Sequence, residues 1–161
     1  DLWKSGKITD GTKKYAKDLA ANTVKLDDIV KKLTYTPEDL DNGAAGLLEE
    51  VQTNKITGEE EAFSHLDLLD FQANVEGAAQ AFSNLKPGLE KIDADLVKQI
   101  DEQFKNVDTT LDGYRDKSVP GGFKAWTPEL RKSDSKKLSQ SVQKLQDPLA
   151  KLAEKIATHQ G

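Results

Sequence analysis

Apolar residues return at intervals of three and four along five stretches of this 161-residue chain, and no stretch alternates apolar with polar. That period is the one a helix of 3.6 residues per turn needs to bury one face. The first stretch, about 11–33, carries Tyr15, Leu19, Thr23, Leu26, Val30 and Leu33 as its buried side, with lysines and aspartates as a solvated face. Asp10 is its expected N-cap, and it stops near Thr34, where Thr36 and Pro37 start a second helix. The second runs from about 38 to 53 on Leu40, Ala44, Leu47, Leu48 and Val51, and the third from 59 to about 85 on Phe63, Phe71, Val75, Ala78, Ala81, Phe82 and Leu85. Asp93 caps a fourth helix bearing Leu96, Ile100, Phe104, Val107, Leu111 and Tyr114. Residues 117–132 form the only long irregular segment, with Phe123 and Trp126 as anchors. A last helix opens at Ser133 with Leu138, Val142, Leu145, Leu149, Leu152 and Ile156 in its stripe and a kink expected at Pro148. The pattern predicts an all-α fold: an antiparallel four-helix bundle, up-and-down, with one additional shorter helix, in one domain spanning 1–161.

Composition narrows the function. Charged residues make up 32% and hydrophobic ones 36%, which suits a soluble helical protein and not a disordered tail. Net charge is −5 with no basic block, so a nucleic-acid partner is not expected. No run is long and apolar enough to cross a bilayer. The lack of cysteine excludes disulfides, thiolate metal sites and a cysteine nucleophile. No serine stands near a plausible base, and no glycine loop could cradle phosphate. The start, DLWKSGKITD, shows no signal-peptide pattern and opens on the apolar pair Leu2–Trp3, as in a chain cut from a longer precursor.

The third helix holds an anomaly. At roughly 100° per residue, Asp67, Asp70 and Asn74 fall near the middle of its apolar face, within an arc of about 60°. Carboxylates turned toward a core are costly unless a cation or hydrogen bonds compensate them. Two readings stay open. The acids pair with a lysine, cap a neighbouring helix or face a gap where another domain docks; or they ligate a hard or borderline cation such as ferrous or ferric iron, zinc, manganese or calcium. Glu49 and Glu50 of the preceding helix are the nearest candidate co-ligands. His65 projects to the wet side of the third helix, and His159 stands two residues from the end.

These residues carry a resemblance. ITGEEEAFSHLDLLDFQANVEGAAQAFSNLKP, residues 56–87, resembles the segment ITGEE–SHTDLWDFQANVDGA–AF–LKP of the EfeO-type, imelysin-like (peptidase-like) family. DLVKQIDEQFKNVDTTLDGYR, residues 95–115, is similar to that family's next helix, and DLWKSGKITDGTKKYAKDLA to the stretch just after its H-x-x-E motif. The resemblance implies an all-helical, extracytoplasmic, membrane-tethered bacterial protein of the periplasm or cell surface. It implies an iron-uptake system with an inner-membrane iron permease and a haem-peroxidase-like partner. It also implies that this chain is the C-terminal part of a longer domain. The H-x-x-E ligands then lie before Asp1, in a missing N-terminal half. On matching positions it implies metal roles for His65, Asp67, Asp70 and Glu50, with Asn74 as a core-facing polar neighbour. Iron is the implied cargo, with zinc or another divalent cation as the alternative. Leu66 and Leu69 replace the family's Thr and Trp, which alters the shape of the pocket. Three functions remain, in order of preference: a metal-binding component presenting iron to a permease, a metal-dependent acidic-polysaccharide-binding or adaptor protein, and a metallopeptidase. The last lacks a convincing catalytic set, so a non-enzymatic role is expected.

Overall fold

The computed structural model describes residues 5–159, so the Leu2–Trp3 pair and the side chain of His159 lie outside the described residues. The chain divides into two compact units at Tyr35–Thr36.

The first unit is helix α1, Asp10–Val30. Its cap is Thr9, one residue before the expected Asp10, and the Thr9 hydroxyl accepts from Thr12 N–H at 3.1 Å. Lys14–Asp18 and Lys31–Asp27 are surface pairs one turn apart. The stripe expected to be buried is open: Tyr15 is 72%, Leu19 64% and Leu26 58% exposed, and no residue of α1 is buried. The physical reason is that the described part of its own unit supplies no core for that stripe to enter.

The second unit is a four-membered helical bundle. Helix α2, Pro37–Glu50, opens with a capping box: Thr36 accepts from Asp39 N–H, and Asp39 accepts from Thr36 N–H. It runs into a π-helical turn, Val51–Lys55, closed by the bond from Ile56 N–H to Val51 C=O at 3.0 Å. Helix α3, Asp67–Asp112, breaks at Asp93 (φ −157°, ψ 88°). The break is a reversal, because Phe82 and Phe104 have ring centroids 5.7 Å apart, whereas 22 residues of straight helix would span about 33 Å. Asp93 caps the returning arm as expected, accepting from Leu96 N–H at 2.9 Å, and it also pairs with Lys155. Helix α4, Pro128–His159, completes the bundle and runs through Pro148. α2 contributes Ala44 and Leu48 to the core, the π turn Val51, and the second arm of α3 and α4 every stripe residue expected of them up to Leu111 and Ile156.

Three element boundaries differ from the sequence reading. The third helix begins at Asp67, not 59, so Phe63 is 65% exposed and Glu59–Glu61 stand before the helix, not in its first turn. Gly58 (φ 70°) and His65 (φ 57°) both sit in the left-handed region, which a continuous helix cannot contain. Helix α3 passes Pro87 and continues to the reversal. Helix α4 starts five residues early, with Pro128 at the first helical position, where its missing N–H costs nothing.

Candidate functional site

The segment between the π turn and α3 is held from the α4 side. Trp126, wholly buried, donates its indole N–H to Ile56 C=O at 3.0 Å and its backbone N–H to His65 C=O at 2.9 Å. Tyr114 packs edge-on against its ring. Arg131 of α4 donates to Thr57 C=O, and its guanidinium lies so close over Gly58 that a β-carbon there would displace it. Phe123 and Trp126 are anchors as expected, and both are buried. They therefore form no exposed aromatic groove on which sugars could stack.

That clamp presents the first turn of α3 to the bundle. Asp67 is 0% exposed, and neither carboxylate oxygen has a hydrogen-bond partner. Burial pushes its carboxyl above the usual carboxylate range. The backbone N–H groups of Asp67 and Glu61 and the charge of Arg131 pull the other way, none of them in hydrogen-bonding geometry, while the charge of Asp70 adds to the rise.

One turn further, Asp70 faces a cation. Lys55, the last residue of the π turn, has a side chain only 8% exposed. Its Nζ stands 3.7 Å from Glu50 Oε1 and 3.8 Å from Asp70 Oδ2, and it donates to Glu60. Burial alone would lower the lysine's affinity for its proton; the three carboxylates outweigh it and raise the pKa. Asn74 Nδ2 donates to Leu47 C=O at 3.2 Å and to Glu50 Oε2 at 3.3 Å, so it orients Glu50 within the cluster. Of the predicted residues, the structure thus groups Glu50, Asp70 and Asn74, with Asp67 beside them on α3. His65 is half-buried. Glu49 is exposed and lies apart, in the lining of a cleft between α2 and α4. Among the described residues, no three His, Asp or Glu side chains stand in metal-binding geometry. Sequence reasoning missed Lys55 and Glu60; the signal available was a lysine five positions before a glutamate, in a connector with no period to place either.

Arg131 also lines a cleft of about 680 Å³, with Ile56, Thr57, Pro128, Lys132, Ser135, Lys136 and Ser139. It offers three cations and three hydroxyls with no carboxylate in its lining.

Fold and site together define an all-α bundle protein with a half-exposed carboxylate cluster around a buried lysine where a π turn meets the start of a long helix. The imelysin family model (Peptidase_M75) matches residues 1–152, and the chain belongs to that family. It is 42% identical over 152 residues to an Efem/EfeO family lipoprotein of Staphylococcus haemolyticus (strain JCSC1435), covering 94% of this chain and 52% of the relative. A protein of the same description from Staphylococcus aureus (strain MRSA252) is 42% identical over the same shares, and that of strain NCTC 8325 / PS 47 is 41% identical. The chain spans about half the length of these curated relatives. Among the described residues, no helix is long and apolar enough to cross a membrane.

Proposed function

We propose that this chain is part of an extracytoplasmic, membrane-tethered, metal-binding component of a bacterial iron-uptake system, which presents iron to a membrane permease and acts without catalysis. The observation that carries the reading is Asp67: a fully buried carboxylate with two unpartnered oxygens, next to the Glu50–Asp70 pocket. A buried polar group without a partner calls for an explanation, and a cation is one. Asp67, Asp70, Glu50 and His65 would supply ligands suited to ferrous or ferric iron only on drawing closer together, since as placed they form no metal-binding group. The remaining ligands, the H-x-x-E pair of the family pattern, come from outside these 161 residues. Titration calorimetry with iron and zinc tests the site: the chain binds, and a variant with Asp67→Ala and Asp70→Ala loses most of that affinity. Equal binding by the two proteins rules the site out.

The relatives' length supports a partner for α1. Its open stripe, Tyr15, Leu19, Leu26 and Val30, fits the remaining half of the same domain, the part of the relatives this chain does not match. An amphipathic helix with no buried residue gains little from propensity alone and is stabilised by covering that stripe.

A second reading is binding of an acidic polysaccharide, favoured by the cationic, hydroxyl-lined cleft at Arg131, Lys132 and Lys136. Lys132→Glu with Lys136→Glu should abolish retention on polygalacturonate, and neither protein should be retained on neutral dextran. Retention of both on both matrices counts against it.

A further inference from the structure

We propose that the cleft between α2 and α4 binds a linear polyamine, with one ammonium on Asp41 and a second on Glu49. The inference stands apart from the metal reading above and uses none of its residues.

Asp41 is the observation that points to a ligand. It is 8% exposed and lines the cleft. Among the described residues none donates to its carboxylate, and burial raises its pKa with no partner opposing the rise. Unlike those of Asp67, its oxygens keep contact with solvent, so a ligand in the cleft can reach them. A buried carboxylate without a donor is costly, and the lining of the cleft holds no lysine, arginine or histidine to relieve it. A cation entering the cleft would.

The rest of the lining accepts more than it donates. Gln52 Nε2 is spent on Gln143 Oε1 at 3.3 Å and on Gln146 Oε1. Gln143 Nε2 is spent on Asp147 Oδ1 at 2.7 Å, and the Thr53 hydroxyl on Glu49 C=O at 3.0 Å. These groups still offer oxygen lone pairs, the match for N–H donors. Leu48, Leu149 and Ala150 add apolar surface for methylenes. Asp41 and Glu49 stand on one helix and line the same cleft. Eight residues of helix separate them by about 12 Å along the axis, too far to share one ion. A methylene chain with an ammonium at each end spans that distance, and the volume of about 560 Å³ suits a small molecule.

Calorimetry with the whole chain at fixed ionic strength, using spermidine and the monoamine propylamine as probes, tests the site. Spermidine should bind at least about tenfold more tightly than propylamine, because seating one ammonium holds the next at high effective concentration. Asp41→Asn, which keeps the shape and removes the buried charge, should weaken spermidine about tenfold or more. Glu49→Gln should bring spermidine down toward propylamine and leave propylamine unchanged. Asp28→Asn, which removes an equal charge from the exposed surface of α1, should leave both affinities as they were. Weakening by Asp28→Asn as large as by Asp41→Asn overturns the site and leaves only diffuse attraction to an acidic chain. Equal affinity for the two amines overturns it as well, and so does binding of neither. If Asp41→Asn does not fold, Glu49→Gln, at an exposed position, decides.

Discussion

Asp67 lies on the buried side of α3 with neither oxygen hydrogen-bonded, and that placement sets how stability responds to pH and to substitution. Its folded pKa is raised, first by burial. Between the unfolded value near about 3.9 and the higher folded one, the folded chain holds a proton the unfolded chain has released. Stability contributed by this residue is therefore lost as pH rises through that window, and the deficit is complete above the folded pKa. Asp67→Asn should stabilise the metal-free chain by about 1–2 kcal/mol at pH 7, with the gain shrinking toward pH 4. Urea unfolding at the two pH values checks it, and a loss of stability at pH 7 would mean that an unseen donor already satisfies the carboxylate. The helical wheel was sufficient to turn Asp67 inward. It gave Asp70 and Asn74 the same standing, yet both are half-exposed. Their difference lies in partners the period cannot reveal. Asn74 bonds the end of α2, and Asp70 faces a lysine delivered by a π turn, whose extra residue shifts the register that a wheel assumes.

Helices with one unbroken stripe were legible from that stripe alone. The second arm of α3 and the whole of α4 bury the residues their spacing selects, because each lies against the core along its length. The connector from Thr57 to Leu66 was not legible. A histidine gives no sign that it will sit at φ 57°; that conformation is held by Trp126, far downstream, through the bond to His65 C=O. Trp126→Phe keeps most of the packing but leaves the buried Ile56 carbonyl without its donor. The expected cost is about 1–3 kcal/mol in a urea melt, with metal affinity falling because the first turn of α3 loses its clamp. The reversal at Asp93 makes a second prediction. Its carboxyl is held below the usual range by Lys155 first and by the Leu96 N–H next. That stabilisation is present above the unfolded pKa and lost as pH falls through the folded one. Asp93→Ala should lower the melting temperature by a few degrees at pH 7 and change it little in strong acid. An equal loss at both pH values would assign Asp93 a role independent of its charge.

The two units differ in what keeps them folded. From Thr36 onward a continuous core reaches from Ala44 to Ile156 and draws on α2, both arms of α3 and α4. α1 has a cap and surface ion pairs but no buried side chain. A helix of its length held by such local terms alone is marginal in water, since nucleation is unfavourable and no tertiary burial repays it. Its stripe was legible in the sequence as a face that wants covering; the occupant was not, because amphipathicity specifies a need and not a partner. The contrast can be measured in two ways. In hydrogen exchange, amides of α1 should exchange orders of magnitude faster than those around Ile100 and Val107 in the second arm of α3, whose opening requires loss of the core. Leu19→Lys with Leu26→Lys should leave the melting of the bundle within about 0.5 kcal/mol of the natural chain, as expected of exposed positions, while weakening capture of the separately expressed other half of a family domain. Protection of α1 equal to that of Ile100 in the chain alone would show the stripe already covered, and with it the proposed docking face would be lost.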